Sequence, residues 1–236
     1  MPELIRPSTI LPSIRENFEI ITADGLKLVG EKAIPIGSIN STILCLHPNP
    51  SGGGMMDSHI YKKSANRLPH LAGIEIIRFN TRGTKSDRGQ SEGSYDNGVS
   101  EKYDVQAALE YSFSQSEVKE LWVMGWSFGT DLALQYARDP RIKGLILLSP
   151  PLKNTTQTDL DFWKADGRAI TALIPEFDEY LKPVEAKARF TGLTNLHQID
   201  VEGAKHLWVG EPYVHRVLSE IVKIVAPNKL PLPLEI

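Results

Sequence analysis

The feature that most constrains this chain is a rhythm that begins near residue 40. Short apolar runs recur, each four to six residues of aliphatic or β-branched side chains bounded by Gly, Pro, Asn or Ser: STILCLH (41–47), GIEIIRFN (73–80), ELWVMG (120–125), GLILLSP (144–150), AITALIP (169–175) and NLHQIDV (195–201). Runs of that length without polar alternation are the pattern of strands buried on both faces. Between them lie amphipathic segments around 58–71, 100–116, 128–138, 183–190 and 212–225. The last places Val214, Val217, Leu218, Ile221 and Val222 at helical spacing. Ahead of this series, ENFEIITADGLKLVGEKAIP alternates apolar and polar residues around Asp24-Gly25, a strong hairpin signal. A hairpin followed by repeated strand–helix units predicts an α/β fold with a mostly parallel central sheet and helices on both faces.

Residues 1–15, with three prolines, predict an arm lying on the surface, and the Pro-rich tail 226–236 cannot extend the preceding helix. No linker divides the rest, so one domain is expected over 1–236. A net charge of −3 offers no electrostatic footprint for nucleic acid or an anionic membrane. The N-terminal segment lacks the apolar stretch of a signal peptide, and no run reaches the length of a membrane span, so a cytoplasmic location is the expectation. The single cysteine, Cys45, sits inside an apolar run and reads as a buried core thiol. No Cys/His cluster, HExxH or EF-hand spacing occurs, so no metal and no cofactor are expected.

A G-x-S-x-G pattern occurs twice, around Ser91 (GQSEG, 89–93) and around Ser127 (GWSFG, 125–129). A nucleophilic serine on a tight strand-to-helix turn needs an apolar strand before it, small residues where backbones meet, and a helix after it. Ser127 meets each need: ELWVM precedes it and FGTDLALQYA follows. Ser91 meets none, lying between the polar TRGTKSDR and the turn-rich GSYDNG, and reads as a loop residue. A serine hydroxyl also needs a base, usually histidine, oriented by a carboxylate. Of six histidines, His206 alone lies in a loop between the last strand and the C-terminal helix. His197 falls within that strand and His215 within that helix. For the acid, Asp178 follows the AITALIP strand, with Glu176, Glu179 and Asp200 as rivals. An oxyanion hole needs two N–H donors: Phe128, next after the serine, supplies one. In LHPNPSGGG, between His47 and Ser51, Pro48 and Pro50 have no N–H, so Asn49 is the second. Trp126, Phe162, Trp163 and Trp208 lie near these residues in sequence and are candidates to line an apolar pocket.

These segments together resemble the α/β-hydrolase superfamily, in particular compact, lidless bacterial serine esterases related to dienelactone hydrolases. The resemblance spans roughly 17–225 and rests on LHPNPSGGGMMD, IIRFNTRG, VMGWSFG, LILLSPPL, PEFDEYLKP and VEGAKH. It implies that Ser127 is the nucleophile, Asp178 the acid, His206 the base and Asn49 an oxyanion donor. It further implies acyl transfer of the ester type through an acyl-enzyme, and the short 151–169 connection favours small to medium acyl substrates. Three departures stand out. TKSDR lengthens the loop after Arg82-Gly83 and is expected to reshape one pocket wall. Asn49 replaces a usual histidine. Pro175 stands where relatives have glycine, three residues before Asp178. About 19 residues (151–169) separate the fourth and fifth runs, too few for a large lid. A peptidase or acyl-peptide hydrolase with the same residues, and a binding protein without turnover, remain open at this point, and nothing in the residues sets an oligomeric state.

Overall fold

The computed structural model describes residues 3–115 and 120–236. Ten strands and six α-helices follow in chain order among them. The hairpin β1 (Ile14–Ile21) and β2 (Lys27–Ile34) opens the fold. The series β3 (Ser41–Leu46), α1 (His59–Ala72) and β4 (Ile74–Phe79) comes next. A two-residue ribbon, β5 (Lys85–Ser86) and β6 (Gly89–Gln90), precedes α2 (Glu101–Ser114). Then come β7 (Leu121–Trp126), α3 (Phe128–Tyr136), β8 (Ile142–Leu148), α4 (Gln157–Asp166), β9 (Ala169–Phe177), α5 (Pro183–Arg189), β10 (Leu196–Lys205) and α6 (Glu211–Val225). The expected helix 100–116 therefore ends at Ser114, and residue 116 lies outside the described residues.

Eight strands form one sheet in the order β1-β2-β4-β3-β7-β8-β9-β10. β2 alone runs opposite to the other seven strands of this sheet, and every pairing from β4 to β10 is parallel. Side chains of the central strands alternate between two cores, as a pleat with period two requires. Leu44, Leu46 and Val123 face the α2–α5 side, while Ile43, Cys45, Met124 and Trp126 face α1 and α6. The stripe expected on α6 is buried against the second core, each such side chain contributing roughly 1.5–3 kcal/mol. The chain crosses from β3 through α1 to β4 on one side, and from β4 through α2 to β7 on the other. The order thus reverses between β3 and β7, and their C-terminal ends splay at the place where open α/β sheets gather ligands.

Three local outcomes differ from the sequence expectations. A helix, α4, occupies 157–166, where no amphipathic segment was expected; a capping box between Thr156 and Asp159 starts it. The lengthened loop after Gly83 lines neither of the cavities at Ser127 described below. It folds as the β5–β6 ribbon against the N-terminal hairpin, with Ser86 Oγ accepting from Asn80 Nδ2 at 2.9 Å and Arg88 pairing with Glu31 at 2.6 Å. The N-terminal arm and the tail pair with each other, Glu3 and Ile236 exchanging two backbone bonds.

Where the hairpin meets the sheet, Glu31 of β2 and Arg78 of β4 are direct cross-strand partners, both side chains fully buried. Arg78 reaches Glu31 Oε2 at 2.5 Å; its Nη1 donates to Asp57 Oδ1 at 2.7 Å and to the Met56 carbonyl at 3.0 Å. Arg15 adds a contact to Glu31 at 2.6 Å. The cluster ties the hairpin to the segment before α1. Glu31 faces Arg15, Arg78 and Arg88, so neutralising it leaves this cluster of guanidinium groups with Asp57 as its remaining carboxylate. Glu31→Gln should therefore destabilise the fold by about 3 kcal/mol or more in urea unfolding, whereas Glu120→Gln, in an exposed pair with Lys143, should cost less than about 1 kcal/mol.

Candidate active site

Ser127 sits between β7 and α3 with φ 51° and ψ −120°, a backbone region that strains any residue with a Cβ. The surroundings leave it no alternative. Its N–H donates to Leu148 O at 2.9 Å, and its carbonyl accepts from Thr130 N–H at 2.8 Å and Thr130 Oγ1 at 2.7 Å. The flanking glycines are required by closeness of backbone. A Cβ on Gly125 would lie 2.4 Å from Gly129 O, and one on Gly129 would lie 1.9 Å from Leu46 O. The turn thus presses the start of α3 onto the end of β3.

His206 follows β10 directly. Its Nε2 lies 2.8 Å from Ser127 Oγ, and its Nδ1 lies 2.8 Å from Asp178 Oδ2. An ionised carboxylate only accepts, so Nδ1 carries the proton and Nε2 is left to accept from the serine hydroxyl. The carbonyl of His206 is fixed by Trp126 Nε1–H at 3.2 Å and Ser149 Oγ–H at 3.0 Å, and the Tyr180 ring packs against its imidazole at 4.6 Å. Asp178 is buried just past β9. Its Oδ1 accepts from the N–H groups of Tyr180 and Leu181, which leaves Oδ2 for histidine. Pro175 fits this turn, because its carbonyl accepts Asp178 N–H at 3.2 Å. The rivals lie elsewhere: Glu176 accepts from Gly203 N–H, Asp200 is exposed and bonded to Gln198, and exposed Glu179 brings a carboxylate near the pair without bonding His206.

Among the described residues, the N–H groups of Phe128 and Asn49 have no acceptor. His47 holds the second of them in place. Thr81 N–H donates to His47 Nε2 at 3.0 Å, so the ring proton is on Nδ1, which donates to Pro48 O at 2.7 Å. The Pro48 carbonyl and Asn49 N–H point opposite ways from one trans peptide plane. Fastening the carbonyl therefore aims the N–H away from His47, and Asn49 and Ser127 line the same cavities. The position of His47 at the end of a strand run, just before the loop, was the available signal.

Two cavities meet at Ser127. One, of about 240 Å³, has polar walls that include Tyr95, Asn97, Asp131, Lys153 and Asn154. The other, of about 340 Å³, is apolar and bounded by Pro48, Trp126, His206, Leu207 and Val209. Of the four aromatic candidates, only Trp126 lines either. Trp163 and Trp208 are fully buried in the two cores, and Phe162 packs against Trp163 and under Arg138. Proximity in sequence did not reveal which way those side chains turn. Ser91 is buried as a staple, accepting from Val29 N–H and donating to Asn80 O.

The chain belongs to the α/β-hydrolase family: the family model described as the alpha/beta hydrolase fold matches residues 42–202. It is 32% identical over 121 residues to an uncharacterized protein of Rickettsia prowazekii, a match spanning 50% of this chain and 49% of that one. The chain thus aligns with about half the length of this curated relative. It resembles the solved structure of an alpha-beta serine hydrolase homologue from Coxiella burnetii at 26% identity and TM-score 0.71, covering 90% of this chain and 96% of that one. It shares its fold with a Pyrococcus furiosus esterase at 17% identity and TM-score 0.76, covering 95% and 98%. Among the described residues no helix is long and apolar enough to cross a membrane.

Two outcomes follow from this geometry. Ser127→Gly removes the Cβ from a left-handed turn and should raise stability by about 1 kcal/mol in urea unfolding. Burial pushes the enclosed His47 imidazole down to about 4, against the hydrogen bond to Pro48, which acts to raise it. An unfolded histidine protonates near pH 6.5, so between about 6.5 and 4 the unfolded chain binds the extra proton. The stabilisation is complete above pH 6.5 and is lost as pH falls towards 4, on the order of 3 kcal/mol in all. His47→Gln should flatten this part of the stability–pH curve, read by urea unfolding at pH 7, 6, 5 and 4.

Proposed function

We propose that the protein is a serine hydrolase that cleaves carboxylic esters of small to medium size through Ser127, His206 and Asp178. One observation carries the reading: a hydroxyl on a strained turn, an imidazole and a buried carboxylate joined by two 2.8 Å hydrogen bonds. A surface serine with a chance histidine neighbour would need no such strain, which costs about 1–3 kcal/mol and is retained where a side chain must be held at one point.

In the first half-reaction His206 Nε2 takes the Ser127 proton as Oγ attacks the ester carbonyl. The oxyanion that forms is held by the N–H groups of Phe128 and Asn49, the former at the positive end of α3. Asp178 keeps Nδ1–H directed at itself and stabilises the imidazolium. The tetrahedral species collapses, the carbon–oxygen bond to the alcohol breaks, and His206 gives its proton to the departing oxygen. Water then attacks the acyl-Ser127 ester with His206 again as base, releasing the acid and restoring the hydroxyl. The connection between β8 and β9 holds only the ten-residue α4, so the cleft stays open to water for this second step.

An organophosphonate serine probe should label the wild-type protein at Ser127 and leave Ser127→Ala unlabelled. Labelling that persists in Ser127→Ala would discard the assignment; no labelling of wild type would favour a binding protein. With p-nitrophenyl acetate, Asp178→Asn should lower kcat by about 10⁴-fold with the fold intact. Matched anilides should be turned over far more slowly than esters, and comparable rates would favour a peptidase.

A further inference from the structure

We infer that the two cavities divide the substrate, the polar one taking a hydroxylated acyl group and the apolar one an alkyl alcohol. The inference rests on the ester-cleaving reading above. The assignment of sides comes from where the proton must go. The carbon attacked by Ser127 carries the serine oxygen, the oxyanion, the leaving oxygen and the acyl chain. The oxyanion lies towards Asn49 and Phe128 N–H. The leaving oxygen must lie within reach of His206 Nε2, and His206 lines the apolar cavity and not the polar one. The alcohol therefore lies along Pro48, Trp126, Leu207 and Val209, and the acyl chain is left the cavity beside α3.

The walls then set the chemistry. Asp131, one helical turn after Ser127, is 1% exposed yet borders the acyl cavity. Its Oδ1 accepts from Thr155 Oγ1 at 2.5 Å, Thr155 N–H at 3.0 Å and Asn154 N–H at 3.3 Å, and the Lys153 backbone N–H also acts on the carboxylate. Asn97 and Asn154 add amides, tied by Asn154 Nδ2 to Asn97 O at 2.7 Å. Lys153 holds its ammonium 4.3 Å over the Tyr180 ring at the same rim. A hydrocarbon chain here would strip water from the Asn97 and Asn154 amides and the Lys153 ammonium, and would set a buried carboxylate against hydrocarbon, returning nothing. A hydroxyl on the acyl chain donates to the carboxylate and accepts from the amides, restoring what water supplied. On the other side Leu207 and Val209 are 54% and 70% exposed beside His206, and an alkyl alcohol covers them.

Two isomeric esters test the division, because they contain the same atoms. Hexyl 3-hydroxybutanoate places the hydroxyl in the acyl part, and 3-hydroxybutyl hexanoate places it in the alcohol. Wild type should prefer the first by about tenfold or more in kcat/KM. Asp131→Asn, which keeps an acceptor at Oδ1 and replaces Oδ2 by a donor, should lower that ratio by about threefold or more. Val209→Ser, at a side chain too exposed for the fold to depend on it, should lower it similarly. A ratio near one, a reversed ratio, or a ratio unmoved by both variants overturns the division. So does cleavage of p-nitrophenyl acetate with neither isomer accepted, and in each of these cases the hydrolase reading stands. Failure on all three esters overturns that reading, and the division falls with it.

Discussion

The close approach of β7, α3 and β3 around Gly125 and Gly129 is the constraint from which the rest of the site follows. Helix α3 cannot begin where it does unless residue 127 takes a conformation that L-amino acids avoid, and it cannot lie against β3 unless residue 129 has no side chain. Once those conditions hold, three features arrive together. The hydroxyl projects above the sheet, the Phe128 N–H at the head of the helix is left without an acceptor, and the loop after β3 is brought alongside. The reversal of strand order between β3 and β7 opens the space those groups face.

The supporting polar network keeps the remaining pieces at fixed distances. His47 is sealed in the interior as a neutral ring with one assigned proton, and through Thr81 it couples the loop after β4 to the loop after β3. Ser149 and Trp126 hold the His206 main chain from two different strands' ends, so the imidazole is set by the sheet and not by its own loop. Asp178 spends one oxygen on its own turn and the other on histidine, which fixes the carboxylate plane. Each link is a modest hydrogen bond, worth roughly 1 kcal/mol in net stability, but together they replace freedom that a site on loops would otherwise keep.

Much of this was legible from residues. The apolar runs of the parallel strands stand out because strands buried on both faces cannot alternate, and the context around the two serine pentapeptides separates them before any coordinates. His206 and Asp178 could be chosen because a parallel sheet presents its loops at one end, so chain order predicts neighbourhood. What escaped was orientation and local pairing. Helix α4 has only Leu160, Phe162 and Trp163 for a buried side among acidic neighbours, and its clearest signal was the Thr156–Asp159 cap and not a stripe. Trp163 and Trp208 are near the site in sequence but turn inward, a matter of which face of an element they occupy. The loop after Gly83 closed as a ribbon on the hairpin because Arg88 has a buried carboxylate, Glu31, to reach there.

The short β8–β9 connection has a consequence for how such a site keeps time. A cleft with no moving cover has no closing step to commit a bound molecule and no opening step to delay its departure. On the reading proposed above, residence in the cleft depends on the walls that line it and not on a large inserted lid between β8 and β9. On that reading, discrimination is written into the chemistry of the walls.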